Sequence, residues 1–214
     1  MTSHRVRRRG IDLWLAIYGT ALAALTAWAV DQDAFDRVDR LLFDLLNSLP
    51  ERLHRPLWVA QLIGVLGVPI AVAAVAAATR RFRLALGSVL LVPAKLVVER
   101  EILKQLVYQQ RPGARIPGAI LRDVPTAGSA FPSGHAMILF GMVTLLSPYL
   151  SGRALGGLFG FAAVATAARV YLGAHSPADV IGGAAAGLAI GAVLNLLVGV
   201  SRSPREQSPR ERIR

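Results

Sequence analysis

Residues 177–199 read PADVIGGAAAGLAIGAVLNLLVG. A bilayer core about 30 Å thick needs about 20 mostly apolar residues per helix, and this stretch has that length and composition. Gly183, Gly187 and Gly191 recur in it at spacing four, a stripe of small residues along which helices approach closely in lipid. Working outward, five further segments pass the same test, at roughly 11–30, 57–78, 84–106, 134–150 and 154–173. The expected fold is all-α, a polytopic membrane protein with a bundle of six transmembrane helices. The first segment follows a basic stretch and contains Ala27-Trp28-Ala29, as a cleavable leader can. At about 20 apolar residues it is longer than a usual signal core, so an uncleaved first helix is expected.

Composition agrees. The chain has 214 residues and no Cys, and it is 54% hydrophobic and 17% charged, with a mean hydropathy of +0.49. A soluble domain is nearer about 25% charged. These values exclude a disordered chain, a disulfide scaffold and a thiolate metal site. The net charge of +11 would suggest nucleic acid in a soluble protein, but its distribution argues against a nucleic-acid partner. Residues 1–10 and 201–214 supply +4 and +3 of it. The division expected is a basic cytoplasmic tail over 1–10, a transmembrane domain over 11–199 and a disordered basic tail over 200–214. With the N-terminus inside, inner segments hold thirteen basic residues. Outer segments hold eight, offset by seven acidic ones. That bias places both termini in the cytoplasm. Only Lys95 and Lys104 of the 24 basic residues are Lys, which together with the Ala-rich composition suggests a GC-rich bacterial gene and hence a bacterial cytoplasmic membrane.

Between the first two spans, Phe35, Val38, Leu41, Leu42, Leu45, Leu46 and Leu49 recur at helical spacing, with Asp36, Arg37, Asp39, Arg40 and Asp44 on the other face. An amphipathic helix on the membrane surface is expected there, or one packed on other protein. The connection over 107–133, punctuated by Pro112, Pro117, Pro125 and Pro132, is long enough to be functional or disordered.

Three polar segments fall on the outer side of this topology: Lys104 to Pro112, Phe131 to His135, and Arg169 to Asp179. Polar groups at membrane depth are costly and mark function by default. Lys104, Arg111 and Arg169 would make a positive pocket suited to phosphate oxygens. Pro132 suits a helix start, where Ser133 and Gly134 leave backbone N–H groups for an anion. His175 and Asp179, four apart across a helix start, let the carboxylate orient the imidazole as a nucleophile. His135 would stand across the phosphate as general acid and base. Each signal alone is weak; their joint order and spacing is not.

These residues resemble the three-part signature of the type 2 phosphatidic acid phosphatase superfamily, the integral-membrane lipid phosphate phosphatases. The pattern Lys-x6-Arg-Pro matches at Lys104, Arg111 and Pro112, Pro-Ser-Gly-His at 132–135, and Ser-Arg-x5-His-x3-Asp at Arg169, His175 and Asp179. Ala168 stands where the family usually has Ser. The resemblance implies His175 as nucleophile, His135 as general acid and base, and Asp179 as orienter. It implies phosphate binding by Lys104, Arg111, Ser133, Gly134 and Arg169, with no metal and no cofactor. The activity it implies is hydrolysis of a lipid phosphate lying in the bilayer, with undecaprenyl or decaprenyl diphosphate as the favoured substrate and the active site on the extracytoplasmic face. Phosphatidate and phosphatidylglycerol phosphate are the alternative substrates. A lipid-linked phosphotransferase would use the same phosphohistidine, and a non-catalytic protein that binds or transports phosphate lipids would use the same pocket.

Overall fold

The computed structural model describes residues 6–201, so most of the two expected tails lies outside the described residues. Their inner edges, β1 (Val6–Arg7) and β2 (Val200–Ser201), form a two-residue antiparallel ladder. Ten α-helices follow in order among the described residues: α1 Gly10–Asp31, α2 Asp36–Asn47, α3 His54–Gln61, α4 Gly67–Ala78, α5 Phe82–Leu96, α6 Lys104–Leu106, α7 Pro112–Arg115, α8 Gly134–Leu146, α9 Gly152–Tyr171 and α10 Pro177–Val198.

Three of these, α1, α9 and α10, are long and apolar enough to cross a membrane. A fourth span exists if the pair Glu51–Gly64 and Gly67–Ala78, bent by 60° at its break, is counted as one. The remaining expected segments are helical too, but they differ from simple spans. Helix α5 runs on through a π-helix at Val97–Leu103 into α6, and Lys95, Glu99, Arg100, Glu101 and Lys104 charge that end. Helix α8 stops at Leu146 and is extended only by a 3-10 turn, Ser147–Tyr149.

Helix α10 is the axis of the bundle and is mostly buried, whereas α1 is mostly exposed along its apolar faces. The glycine stripe explains this position. A Cβ on Gly183 would lie 2.4 Å from the Ser133 carbonyl oxygen, one on Gly187 2.4 Å from that of Met137, and one on Gly191 2.7 Å from that of Gly141. Both helices advance by four residues at each contact, so α8 and α10 run parallel with their backbones touching. On another face of α10, Gly19 of α1 comes so close that a Cβ would lie 2.9 Å from the Ala185 oxygen. At the end of the bundle nearest the described termini Asp12, fully buried, accepts from Arg9 at 2.6 Å and from Asn195 at 3.2 Å; Asn195 also donates to the Thr144 carbonyl at 3.0 Å. That cluster ties α1, α8 and α10 together.

The connections at the opposite end are ordered by side chains that substitute for missing backbone partners. Asn47 donates to the carbonyls of Ile120 and Tyr171 at 2.8 and 2.9 Å, and accepts from Ile120 N at 2.7 Å. Arg122 donates to Tyr171 O at 2.7 Å and lies 4.1 Å over the Tyr171 ring. Helix α2 forms where expected but divides its faces differently. Asp39, Phe43 and Asn47, at i, i+4 and i+8, are buried, while Val38, Leu41, Leu42 and Leu45 are exposed. Asp39 thus belongs to the protein-facing side, because Arg115 and the start of α10 supply it with partners.

The close α8–α10 contact predicts that Gly187→Val forces the helices apart. Overpacking of this kind costs about 1–3 kcal/mol, so the melting midpoint in detergent, followed by tryptophan fluorescence, should fall. Gly157→Ala, where a Cβ meets nothing within 4 Å, should leave it unchanged or slightly higher. Equal midpoints for Gly187→Val and wild type would show that the stripe does not carry the packing.

Candidate active site

The first segment of the site comes from the π-helical end of α5. There Glu99, buried, accepts from Lys104 Nζ at 2.7 Å and pairs with Lys95, so the only two lysines of the chain meet on one carboxylate. This triad lies against the start of α8: a Cβ on Gly134 would be 2.7 Å from Lys95 Nζ and 2.9 Å from Glu99 Oε1. A side chain at 134 would have to displace the ends of Lys95 and Glu99. Arg111, just before α7, donates to Ala127 O and to Ala174 O, each at 3.0 Å, which ties the long connection to the loop that carries His175.

The second segment starts α8. Ser133 N donates to the Asp179 carbonyl at 2.9 Å, joining the N-termini of the two parallel helices. The Ser133 hydroxyl is buried with no hydrogen-bond partner among the described residues. His135 packs on the break between α3 and α4, where a Cβ on Gly64 would lie 2.9 Å from its Cβ.

The third segment joins α9 to α10. Arg169 donates to Gln61 Oε1 at 2.7 Å, while its Nε is buried without a partner among the described residues. The turn through Gly173 needs φ +81°, and a Cβ there would meet Ile120 O at 2.6 Å. His175 follows, its backbone N donating to Arg169 O at 3.3 Å. Asp179 is fully buried, and its Oδ2 accepts from Ser176 N at 2.7 Å, capping α10. The same oxygen stands 3.6 Å from His175 Nδ1. That is longer than a formed hydrogen bond; such contacts often tighten only in a substrate complex. Ala168 is buried and brings no hydroxyl.

The eight residues expected from the sequence therefore gather at one end of the bundle. His135 lies within electrostatic reach of Arg169, His175, Lys95 and Glu99, and His175 within reach of Asp179, Arg169 and Arg111. Three polar atoms of this set, Ser133 Oγ, Arg169 Nε and His175 Nδ1, are buried and unpartnered. Each such group costs about 1–3 kcal/mol; a bound oxyanion would relieve that cost at Ser133 Oγ and Arg169 Nε, whereas His175 Nδ1 faces Asp179. Among the described residues no three His, Cys, Asp or Glu side chains gather as a metal would need. Sequence reasoning missed Gln61 and Gly64; a single amide in the apolar run 57–78 was the available signal.

A family model described as the PAP2 superfamily matches residues 81–202, more than half of the chain and all three segments. The chain belongs to the PAP2 superfamily. Its members are phosphatases acting on lipid phosphates, and the chain is a multi-pass membrane protein. Two solved structures share the fold. One is LpxE of Aquifex aeolicus, 23% identical, with a TM-score of 0.55 over 72% of this chain and 92% of that one. The other is a transmembrane PAP2-type phosphatidylglycerolphosphate phosphatase of Bacillus subtilis, 18% identical, with a TM-score of 0.67 over 85% and 94%. No curated protein matches the chain.

Burial holds the His175 imidazole below its ordinary value of 6.5; Asp179 opposes this, and Arg169 and Arg111 add to it. A histidine depressed in the folded state is neutral in both states well above 6.5. As pH falls below that value the unfolded chain takes up the proton first, so stability is lost toward acid. In histidine-labelled protein, the NMR resonance that disappears in His175→Gln should titrate with a midpoint below 6.5. A midpoint at or above 6.5 would contradict the burial argument.

Proposed function

We propose that this PAP2 protein hydrolyses the phosphate monoester or pyrophosphate of a lipid, without a metal or cofactor, through a phosphohistidine at His175. The single observation that supports the reading is the meeting of two histidines, three cations and the start of α8 around unpartnered buried polar atoms. In this mechanism His175 Nε2 attacks phosphorus, and the bond to the lipid-side oxygen breaks. His135 donates a proton to that oxygen. His135 then takes a proton from water, whose oxygen attacks the phosphohistidine, releasing phosphate and restoring His175. Lys104, Arg111 and Arg169 offset the charge that develops on the phosphoryl group. Ser133 and the N–H groups at Gly134 hold an oxygen, and Asp179 keeps His175 oriented.

The favoured substrate is undecaprenyl or decaprenyl diphosphate. An apolar groove of about 710 Å³ between α1, α5–α6 and α10, lined by Ala27, Val98, Leu103, Leu106, Ala189 and Leu194, supports a long hydrocarbon chain. Leu103 and Leu106, which flank Lys104 in sequence, line this groove. A glycerophospholipid phosphate is the second reading, being the substrate in the name of the Bacillus subtilis neighbour.

The proposal includes six crossings, by α1, the bent α3–α4, α5–α6, α8, α9 and α10. Helix α2 lies in the interface, its exposed leucine face toward lipid. Residues 11–199 form one domain between cytoplasmic tails at 1–10 and 200–214, in a bacterial inner membrane, with the site outside. Each expected segment is helical within a few residues of its sequence bounds, and the arginine bias supports the orientation.

Purified protein in mixed micelles should release phosphate from a polyprenyl diphosphate in the presence of EDTA. His175→Ala should lose at least about 10³-fold of that rate with an unchanged melting midpoint; full activity in this variant would sink the mechanism. Orientation is checked separately, since the chain has no native Cys. Ala127→Cys should react with an impermeant thiol reagent outside intact cells, and Arg81→Cys should not. The reverse pattern would invert the topology.

A further inference from the structure

Asp179 has one carboxylate oxygen occupied by the Ser176 N–H and facing His175. Its other oxygen is held by Gln109, at a position within the first segment that the signature leaves unspecified. With the Gln109 amide turned so that nitrogen faces the carboxylate, Gln109 donates to Asp179 Oδ1 at 2.6 Å. The same orientation lets the Gln109 oxygen accept from Arg115 Nη1 and Nη2 at 3.0 and 3.3 Å. The opposite orientation would set oxygen against carboxylate and nitrogen against guanidinium, so the neighbours dictate the amide. Arg115 in turn donates to Asp36 at 2.9 Å and to Asp39 at 3.0 Å, both on α2. Asp39 also accepts from Ala178 N at 2.7 Å, one residue before Asp179. Two routes thus run from Asp39 to the carboxylate beside His175, one through side chains and one through the first turn of α10.

We infer that Gln109 and Arg115 are positioning residues for the reaction, transmitting the placement of α2 to Asp179 and through it to His175. The inference rests on the phosphatase reading above. The chain is buried: Asp39 is 6% exposed, Gln109 8% and Asp179 0%. Hydrogen bonds in a buried polar chain of this kind are strengthened by their surroundings and fix geometry; of the Arg115 guanidinium, both Nη groups are bonded while Nε is buried with no partner among the described residues. Without Gln109, the Asp179 carboxylate keeps only the Ser176 N–H and can swing its plane away from His175, which already stands 3.6 Å from it. Gln109 and Arg115 make no proposed contact with the phosphate, so their effect falls on turnover and not on binding. Asp36 and Asp39 give Arg115 a fixed seat, which ties the carboxylate beside His175 to the surface helix.

The test is kinetic. Gln109→Met keeps the side-chain length and removes the hydrogen bonds to Asp179 and from Arg115. It should lower kcat by about 10- to 100-fold with KM for the lipid diphosphate within about twofold of wild type. In an Asp179→Ala background the same substitution should cost nothing further, because its only route to the reaction is gone. Asp39→Asn keeps the acceptor for Ala178 N and removes only the charge that seats Arg115. It should reproduce the kcat loss in smaller measure, and it carries the test if Gln109→Met does not fold. Unchanged kcat in the folded variant, a change carried by KM, or an equal further loss in the Asp179→Ala background would each overturn the inference. Absence of phosphate release by the wild-type chain would instead overturn the proposed function, and this inference with it.

Discussion

The contact on which the site depends is backbone against backbone. Gly183, Gly187 and Gly191 let α10 lie against Ser133, Met137 and Gly141 with no side chain between. In lipid no hydrophobic effect drives helices together, so close packing and interhelical hydrogen bonds must do so. The consequence for chemistry follows from direction. Because α8 and α10 run parallel, their N-termini finish at the same level, and Ser133 N bonds the Asp179 carbonyl. His135 is the second residue of α8, and His175 stands in the loop just before α10. Two helix starts side by side present N–H groups and positive dipole ends to the same space. In the proposed reaction the anion pocket is thus a product of the packing before any cation is added.

The cations then have to be held apart without an anion present. Glu99 does this for two of them, accepting from Lys104 and pairing with Lys95 beside Gly134. Arg169 uses Gln61, and Arg111 uses the Ala127 and Ala174 carbonyls. Each guanidinium or ammonium is steadied by a partner of lower or equal charge, so the pocket stays positive. A carboxylate between two lysines leaves a net positive charge, and carbonyls leave the arginine charge intact. The unpartnered Ser133 Oγ and Arg169 Nε are what this arrangement leaves for a ligand.

Much of this was legible in the sequence, and the reason is periodicity. The three signature segments have fixed internal spacings, and the apolar runs became helices close to their expected bounds, as at Pro177–Val198 and Gly152–Tyr171. The glycine stripe also read correctly as a packing face. What hydropathy could not show was where an apolar run breaks. Gly64 to Gly67 is apolar throughout, yet the chain bends by 60° there, and the break brings Gly64 against His135 and Gln61 to Arg169. Nor could it show which charged residue of α2 finds a partner. Helical spacing groups Asp39 with the solvated face, but Arg115, 76 residues away, turns it into a buried one. Long-range polar pairing leaves no local trace in a single sequence.

The proposed reaction turns on a covalent phosphohistidine at His175, and the most direct measurement traps it. In His135→Ala the first displacement can still occur with a good leaving group, while water is no longer activated. Protein of this variant, mixed with a lipid diphosphate carrying ³²P in its terminal phosphate and quenched in alkali, should carry alkali-stable, acid-labile label. Peptide mapping should place that label at His175, and replacing His175 by Asn in the same background should abolish it. Steady turnover by the wild-type protein, with no label at His175 in the His135→Ala variant at any time, would contradict the account.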